Sequence, residues 1–369
     1  MTPIRGWCPG ALRPMESGDG WVVRLRPQGG RLTSAQAAGI AQAARQHGNG
    51  LIDLTGRANL QLRGVTPASH TPLVARLRAL ELIDPDIASE ARRNLVVTPF
   101  ADAETDRIAD ELQAALALCD LTLPAKFGFA VDTGPAPVLA DTPADIRLER
   151  GADGLPILRA DGMTRGQRLS GAAQAIAMAR WFLSLGGAAD GRGRMAALIA
   201  RGPRPENAVH APALPRRAPG PGRVAQGVLV APEFGQMTAD LLEAISELGP
   251  LRVTPWRMLL IEGLATVPAL SGLVLSSEDP RLRLRACTGA PGCAHACAPT
   301  RNLARQLAPT IPDGAILHVS GCAKGCGWPR PADLTLTATP QGFDLIRNGR
   351  AGDAPQQSGL RPHELPGIL

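Results

Sequence analysis

The chain has 369 residues, of which 44% are hydrophobic and 20% are charged, so it can form two or more compact units and is not a disordered chain. Its formal charge of +6 comes almost wholly from arginine, because Lys126 and Lys324 are its only lysines, and this modest excess favours anionic ligands. Aromatic residues make up only 3% and no basic run is interleaved with them, which argues against nucleic acid as a partner.

The sequence gives no sign of export or of a membrane segment. Its first residues lack an apolar stretch of secretory length, and nowhere do about 18 uncharged apolar residues follow one another. Seven cysteines, an odd number clustered mostly late in the chain, suit metal chemistry in a reducing compartment better than a disulfide framework. These features predict a cytoplasmic protein that does not bind membranes.

The first predicted unit reads strand, helix, strand. Helical spacing of apolar residues predicts a helix over Ser34–His47 that is ended by Gly48 and capped by Thr33 or Ser34. Alternation of apolar and polar residues predicts a strand before this helix and a strand after it, in WVVRLRP and in GLIDLTGRANLQLRGV.

The same order of elements returns near residue 225. It consists of GVLVAPEFG, a predicted helix over residues 239–248, and LRVTPWRMLLIEGL. Residues 55–64 and 254–263 have equal lengths, begin with threonine and end with glycine after an apolar strand. These matches indicate an internal duplication.

Each copy is followed by a second predicted region of helices and strands. The first region has helices over residues 102–118 and 172–185 and strands in FGFAVD, DIRLER and LPILRA; the second has strands in ILHVSG, ADLTLTA and GFDLIRNG. A proline-rich segment, RGPRPENAVHAPALPRRAPGPGRV, separates the halves and predicts a linker without regular structure. The plan is therefore A, B, A′, B′, with a cleft between two similar halves, and the predicted boundaries are 1–85, 86–200, the linker 201–224, 225–284 and 285–369.

Two glycine-rich cysteine pairs are the strongest chemical signal in the sequence. ACTGAPGCAHACAPT carries Cys287 and Cys293, and SGCAKGCGWP carries Cys322 and Cys326. Four thiolates satisfy either zinc or a [4Fe-4S] cluster, and the five-residue gap in the first pair favours the bulkier cluster. The adjacent glycines let backbone N–H groups approach the sulfur atoms. Zinc is the main alternative, and four inert structural cysteines are the other.

The remaining thiols and one histidine carry weaker signals. Cys119 is expected to be a buried, inert cysteine, whereas for Cys8 an inert and a functional role are equally weighted. Cys297 is expected to pack beside the cluster, although it could serve as a spare ligand. His295 could bind a second iron, but a solvated loop histidine is the simpler interpretation.

At the cysteine pairs the sequence resembles the sulfite and nitrite reductase superfamily, in which C-x5-C followed by G-C-x3-C-G binds a [4Fe-4S] cluster. The resemblance covers nearly the whole chain. It implies an α+β fold in which a ferredoxin-like half domain and an α/β domain are duplicated about a pseudo-twofold axis, the second α/β domain carrying the cluster.

The resemblance also implies the residues that bind a tetrapyrrole. The matching segments are WVVRLRP, LTGRANLQLRG, EARRNLV and LPAKFGF, and the residues that they propose are Arg24, Arg57, Gln61, Arg93, Asn94 and Lys126. Guanidinium groups form forked hydrogen bonds with carboxylates, and a compact ammonium suits a small ligand near a metal. Arg24, Arg93 and Lys126 are the residues expected to act in catalysis.

One position departs from the sulfite reductases. They place a second lysine two residues after the first, whereas this chain has Gly128. That difference weakens the case for sulfite reduction and for bound sirohaem.

A more specific resemblance, to the precorrin-3B synthases, is carried by RGWCPGALRPM, GDGWVVRL, HGNGLIDLTGRANLQLRG, LPAKFGFAVD and ACTGAPGCAHAC. It implies a monooxygenase of aerobic cobalamin biosynthesis that hydroxylates precorrin-3A at C20 and forms a γ-lactone. The implied cofactors are a [4Fe-4S] cluster and a mononuclear non-haem iron, with O₂ as co-substrate and NADH as electron source. No two-histidine, one-carboxylate grouping and no dinucleotide fingerprint is visible in the sequence, so a partner reductase is expected to deliver the electrons.

Two other functions stay open at this point. One is a sirohaem-dependent sulfite or nitrite reductase, which the cysteine motif favours and Gly128 disfavours. The other is a non-catalytic iron–sulfur electron carrier or tetrapyrrole-binding protein, which the size of the predicted cleft disfavours.

Overall fold

The computed structural model describes residues 8–369. The first seven residues, which include the start of the first predicted domain and the first three residues of RGWCPGALRPM, lie outside the described residues. The chain forms four sheet-based units, two built on antiparallel sheets and two on mixed sheets.

The first unit combines one antiparallel sheet with two helices. Helix α1 has the predicted bounds, because Thr33 and Gln36 form a capping box at its start and the Gly48 amide donates to Ala44 at its end. The elements are β1 (Met15–Ser17), β2 (Gly20–Leu25), β3 (Arg31–Leu32), α1 (Ser34–His47), β4 (Leu51–Leu54), β5 (Leu60–Val65) and α2 (Pro67–Ala79).

The segment predicted as a single strand after α1 is a hairpin of two strands. The backbone turns back between β4 and β5 because the Thr55 hydroxyl accepts hydrogen bonds from the N–H groups of Arg57 and Asn59, at 3.3 and 3.2 Å. Alternation of apolar residues continues through the turn, so the sequence pattern alone hides it.

The second unit is an α/β layer. Strands β6, β7 and β8 are parallel, and β9 and β10 continue the sheet in the antiparallel sense. The predicted helix over residues 102–118 is α4, with Asp102 as its N-cap. The elements are α3 (Ile87–Arg92), β6 (Leu95–Val97), α4 (Ala103–Leu118), β7 (Phe129–Asp132), β8 (Ile146–Arg150), β9 (Pro156–Ala160), β10 (Gln167–Arg168), α5 (Ala173–Ser184) and α6 (Met195–Ala200).

The third and fourth units repeat the first and second. Strands β17, β18 and β19 are parallel, and β20 and β21 are antiparallel to their neighbours, as in the second unit. The third unit comprises β11 (Gly222–Val224), β12 (Gly227–Pro232), β13 (Gln236–Thr238), α7 (Ala239–Ser246), β14 (Leu251–Val253), β15 (Leu259–Glu262) and β16 (Leu273–Val274), and the fourth comprises β17 (Leu284–Ala286), α8 (Arg301–Leu307), β18 (Leu317–Ser320), β19 (Ala332–Thr339), β20 (Gly342–Gly349) and β21 (Gln357–Leu360).

The two antiparallel sheets exchange short strands. Strand β13 of the third unit pairs with β4 of the first, and β3 of the first unit pairs with β14 of the third. The sheet orders are β1-β2-β5-β4-β13 and β11-β12-β15-β14-β3, so each sheet is completed by the other half. One apolar core, which includes Ile40, Ile52, Leu242 and Ile261, is accordingly shared by both units.

Two equivalent turns face each other where the halves meet. The Thr55 N–H donates to the Asn59 carbonyl at 2.9 Å, and the Thr254 N–H donates to the Met258 carbonyl at 3.0 Å. A Cβ atom at Gly56, in the first turn, would stand 3.9 Å from the carbonyl oxygen of residue 255, in the second. These turns carry Arg57 and Arg257, and they lie beside the pseudo-twofold axis.

Buried ion pairs occupy equivalent positions in the two sheets with their charges reversed. Asp53 on β4 binds Arg63 on β5 at 3.0 Å, and Arg252 on β14 binds Glu262 on β15 at 2.8 Å. Asp106 of α4 completes the second pair across the halves, 3.1 Å from Arg252. The duplicated backbone therefore carries different electrostatics in each half.

The proline-rich segment between α6 and β11 contains no helix or strand. It lies against the second unit, where Pro212 and His210 form single bridges with Gly151 and Gly166. None of the helices within residues 8–369 has both the length and the apolar character needed to span a bilayer.

Candidate functional site

The two cysteine pairs lie at the carboxyl ends of neighbouring parallel strands. Cys287 follows β17, and Cys322 comes two residues after the end of β18. The two strands pair in register, with Ala286 opposite Val319, so the loops that follow them emerge side by side. The sheet topology thus brings together residues that are 29 or more positions apart in the sequence.

Close backbone packing joins the two cysteine loops. The Gly321 N–H donates to the Cys287 sulfur at 3.1 Å, as expected for a thiolate held by backbone amides. A Cβ atom at Gly327 would lie only 2.8 Å from the Cys287 nitrogen, so a larger residue there would push the loops apart. Partial burial raises the pKa of Cys326, and the proximity of the three other cysteines raises it further.

Four cysteine thiols are a donor set that suits an iron–sulfur cluster. The Gly321 amide supplies a hydrogen bond of the kind that tunes such clusters. Within residues 8–369, no group of three or more His, Cys, Asp or Glu side chains is gathered around a single-ion position. A cubane is larger than one ion, so its four sulfur ligands stand farther apart than those of zinc.

The first half packs directly onto the cysteine loop of the second half. The Ser17 hydroxyl and the Arg63 guanidinium both donate to the Gly292 carbonyl oxygen, at 2.9 and 2.8 Å. Arg63 is itself held by Asp19 at 2.6 Å and by Asp53 at 3.0 Å. A buried charged network therefore fixes the hairpin of β1 and β2 against the loop that carries Cys293.

Arg24 and Gln61 form a pair on neighbouring strands. They lie opposite each other in the register of β2 and β5, and the Arg24 Nε and Nη2 groups donate to Gln61 Oε1 at 3.1 and 2.7 Å. Burial, with a smaller contribution from the neighbouring Arg26 charge, lowers the pKa of Arg24 to about 10, whereas Cys8, which is hydrogen-bonded to Arg24, opposes the shift. Gln61 thus holds Arg24 in place with its amide oxygen. The sequence had predicted that Gln61 binds the ligand directly.

Arg57 lies in a second, partly buried basic group. Burial lowers the pKa of Arg57, and Arg194 lowers it further, whereas Cys8 and Asp145 oppose the change. Asp145 is fully buried and accepts hydrogen bonds from Arg194 Nε, at 2.9 Å, and from the Gly128 N–H, at 3.0 Å. Arg24, Arg26 and Arg57 of the first unit therefore lie near Cys8, and Arg194 of the second unit lies near Arg57.

Gly128 is the close-packing residue of this group. A Cβ atom at this position would stand 2.8 Å from Asn94 Nδ2 and 3.3 Å from Arg57 Nη1. The guanidinium of Arg57 thus rests against the bare backbone of residue 128, in the space that any side chain would occupy. The family resemblance gave weight to the lysine that this chain lacks at position 128. In the structure, Arg57 lies in the space where that side chain would begin.

Arg93 and Asn94 contact protein groups where the sequence had predicted ligand contacts. Arg93 donates to both carboxylate oxygens of Asp84, at 2.7 and 2.8 Å, and this fork neutralises its charge. Asn94 is buried and donates to the Phe127 carbonyl oxygen at 2.8 Å. Lys126 is exposed, in the turn before β7, and forms no ion pair with any described residue.

The remaining predicted residues are three cysteines and one histidine. Cys119 packs at the edge of the second unit's core, and its thiol donates to the Leu116 carbonyl oxygen at 3.3 Å, as an inert cysteine would. The Cys297 backbone N–H donates to the Gly321 carbonyl oxygen at 2.8 Å, which places this residue next to the cysteine loops. His295 is half-buried on the loop after Cys293. Cys8 lies among the arginines and not in a core.

Five arginines of the site were missed by sequence reasoning. They are Arg26 and Arg194 in the first half and Arg257, Arg285 and Arg301 in the second half, and burial lowers the pKa of Arg26 and of the three in the second half. In a chain with 39 lysines and arginines, none of the five stands in a motif that separates it from a surface arginine. Only the fold reveals them.

Comparisons with known proteins agree with this geometry. Residues 13–80 match the model of the nitrite/sulfite reductase ferredoxin-like half domain. A precorrin-3B synthase from a Sinorhizobium species is 34% identical over 95% of this chain and 84% of its own length. A ferredoxin–nitrite reductase from Synechococcus elongatus is 25% identical over 97% of this chain and 86% of its own length.

Among solved structures, the NirA protein of Mycobacterium tuberculosis superposes with a TM-score of 0.67, covering 94% of this chain and 79% of its own, at 18% identity. The fold is therefore that of the nitrite and sulfite reductases, as the sequence predicted. Because the identity to the Sinorhizobium enzyme extends over nearly the full length of both chains and exceeds that to the nitrite reductase, the chain is an oxidoreductase that belongs to the precorrin-3B synthase family.

Proposed function

We propose that this protein hydroxylates precorrin-3A at the C20 meso carbon and closes the ring A acetate as a γ-lactone, in aerobic cobalamin biosynthesis. In this reaction one atom of O₂ enters the product, and the other leaves as water after taking up two electrons and two protons. The family membership carries the proposal, together with three half-buried arginines, Arg24, Arg57 and Arg194, that lie around the buried Arg26. A polycarboxylate ligand is the kind of molecule that such a wall binds.

Cys287, Cys293, Cys322 and Cys326 would hold a [4Fe-4S] cluster. When bound, that cluster supplies electrons one at a time. The protein's own part is to hold the loops: Gly321 donates to the Cys287 sulfur, and the Arg63 network fixes the cysteine loop against the first half. Electrons from NADH reach the site through a separate reductase, because the chain shows no dinucleotide-binding fingerprint.

The arginines of the first half bind carboxylate arms of the substrate. Arg24 and Arg57 have no carboxylate within ion-pair distance among the described residues, so their guanidinium groups are available to a ligand. Each charged hydrogen bond is worth about 1.5–3 kcal/mol, so two forks account for a large part of a micromolar affinity. Gln61 keeps Arg24 in its rotamer, and Asp145 positions Arg194.

Lys126, Arg93 and Asn94 have different parts in this proposal. Lys126 is exposed and without an ion-pair partner among the described residues, so its ammonium can reach an acidic group at the cleft mouth. Arg93 reaches the substrate only if its hydrogen bonds to Asp84 break. Asn94 acts indirectly, because its side chain holds the backbone carbonyl of Phe127. Arg24 is therefore the strongest of the three residues proposed for catalysis.

A mononuclear non-haem iron belongs to the proposal on family resemblance alone. Residues 8–369 gather no three His, Cys, Asp or Glu side chains at a single-ion position, so its ligands cannot be named from this chain. The reaction would take place in the cytoplasm, where the thiols stay reduced and the iron–sulfur cluster can be assembled.

A sirohaem-dependent nitrite reductase is the second candidate, and the Synechococcus relative favours it. Both functions use the same cysteines and a basic cleft, so the contents of the cleft distinguish them. In one case a resident sirohaem fills it, and in the other a metal-free substrate enters and leaves.

Isotope labelling tests the proposal. The reduced, cluster-loaded protein is incubated with precorrin-3A under ¹⁸O₂, and the product is analysed by mass spectrometry. Incorporation of one ¹⁸O atom is the expected result. A product without label would exclude an oxygenase, and nitrite-dependent oxidation of the electron donor would identify the reductase instead.

A further inference from the structure

Three arginines of the second half form a second basic group beside the cysteine loops. Arg257 lies in the turn between β14 and β15, Arg285 lies on β17, and Arg301 begins α8. All three are half-buried. None is part of the site described for the first half.

The contacts of these side chains leave donor groups unused. Arg301 Nη2 is 3.7 Å from Asp53 Oδ1, and its buried Nε has no hydrogen-bond partner among the described residues. The Arg285 guanidinium lies 5.0 Å from the centre of the Trp328 ring and uses Nη1 on a backbone carbonyl. Arg257 packs along Gly235 and forms no hydrogen bond or ion pair with any described residue.

Too few carboxylates are present to balance this charge. Asp53 is the one described carboxylate within ion-pair distance of any of the three, and it is already bound by Arg63 at 3.0 Å. All three guanidinium groups are partly shielded from water, and Arg301 Nε is fully buried without a partner among the described residues. Buried cations are ordinarily paired, so a group with this excess is completed by an anion from outside the chain.

The position of the group indicates which anion. Arg257 and Arg57 stand on the two equivalent turns that face each other at the pseudo-twofold axis, where a Cβ atom added at Gly56 would stand 3.9 Å from the carbonyl oxygen of residue 255. A ligand bound by the first-half arginines is therefore flanked by the second-half group. An iron–sulfur cluster held by the cysteines is the competing source of negative charge, and the reduction potential distinguishes it from a tetrapyrrole.

We propose that Arg257, Arg285 and Arg301 form a second carboxylate-binding site, which takes the acidic side arms of the tetrapyrrole on the side of the ring opposite Arg24 and Arg57. This inference rests on the proposed function and extends it. The first-half arginines hold one edge of the macrocycle, and the second-half arginines hold the other. A ring gripped at both edges keeps one orientation above the cysteine loops, which fixes the carbon that reacts.

Equilibrium binding tests this site. Binding of precorrin-3A to the cluster-loaded protein is followed without O₂, so that no turnover occurs, and uroporphyrin III serves as a stable probe with eight carboxylates. The variants are Arg257→Gln and Arg301→Gln, and the matched control is Arg283→Gln, whose partner at the surface is the exposed Asp313. Each test variant is expected to weaken binding of both ligands about 10- to 100-fold, with unchanged affinity in the control.

The outcomes separate the two proposals. If the wild type binds both tetrapyrroles tightly and the variants bind equally well, the second site is refuted while the proposed function stands. If the wild type binds neither, the proposed function itself fails. A shift in the cluster's reduction potential with unchanged tetrapyrrole affinity would assign the arginines to the cluster and overturn the inference. If a glutamine variant does not fold, Arg257→Lys is measured in its place. Lysine keeps the positive charge but cannot form the forked hydrogen bonds, so an affinity between those of the wild type and a charge-removing variant is expected.

Discussion

Replacing Gly128 with alanine is expected to damage the second unit and the ligand site together. The added Cβ atom would stand 2.8 Å from Asn94 Nδ2, 3.0 Å from the Asn94 carbonyl oxygen and 3.3 Å from Arg57 Nη1. Asn94 cannot move away freely, because its Nδ2 donates to the Phe127 carbonyl at 2.8 Å and its carbonyl accepts from the Phe129 N–H at 2.9 Å. Overpacking of a fixed backbone costs about 1–3 kcal/mol of stability.

The same substitution displaces the guanidinium of Arg57 from the backbone of residue 128. One lost charged hydrogen bond to a carboxylate is worth about 1.5–3 kcal/mol, which corresponds to at least tenfold weaker ligand binding. The assays are thermal unfolding and anaerobic binding of precorrin-3A, with the absorbance of the iron–sulfur cluster as a test of assembly. The cluster is expected to be unaffected, since Gly128 lies in the second unit and the cysteines lie in the fourth.

Gly134→Ala is the matched control, because a Cβ atom at Gly134, in the loop after β7, meets no atom within 4 Å. It is expected to change neither stability nor binding. If Gly128→Ala behaved like this control in both assays, the close packing of Arg57 against the backbone would have no functional weight, and the reasoning would be refuted.

Three other tests address separate parts of the account. Cys326→Ser is expected to abolish the cluster absorbance and Cys119→Ser to leave it unchanged; an intact cluster in the first variant would disprove the ligand assignment. Arg57→Ala is expected to weaken tetrapyrrole binding at least tenfold with the cluster retained, and equal affinity would contradict the role of this arginine. Burial raises the pKa of Asp132 to about 6, so the folded protein keeps a proton that the unfolded chain loses, and stability falls as pH rises from about 4 to 6. Asp132→Asn should remove that slope, giving the variant a relative gain of about 2–3 kcal/mol between pH 4 and pH 7 in denaturant unfolding, whereas parallel pH profiles would refute the shift.

Local signals made much of the fold predictable. Helix α1 was predicted with its bounds because Thr33, Gln36 and Gly48 are capping residues that act within a few positions of the helix ends. The cysteine pairs stood out because ligands of one metal site recur at short spacing in glycine-rich loops, and their role as cluster ligands stays a prediction. The duplication was visible in two segments of equal length, and the equivalent turns at Thr55 and Thr254 confirm it.

Features that depend on contacts between distant segments could not be predicted. The exchanged strands β3 and β13 have only two and three residues, too few for an alternating pattern, and their pairing partners lie in the opposite half. Arg194 and Arg301 look like surface arginines until Asp145 and Asp53 are seen beside them. Arg93 shows the opposite difference between sequence and structure. The family resemblance predicted that it binds the ligand, but in the structure it is paired with Asp84.

Measuring iron and acid-labile sulfide in the purified protein, together with its absorbance spectrum, tests the central claim most directly. That claim is that Cys287, Cys293, Cys322 and Cys326 hold a [4Fe-4S] cluster beside a cleft that is free to admit a tetrapyrrole. The account predicts about four sulfides per chain, a broad cluster absorbance and no sirohaem bands. A protein without acid-labile sulfide, or one with stoichiometric sirohaem, would contradict it.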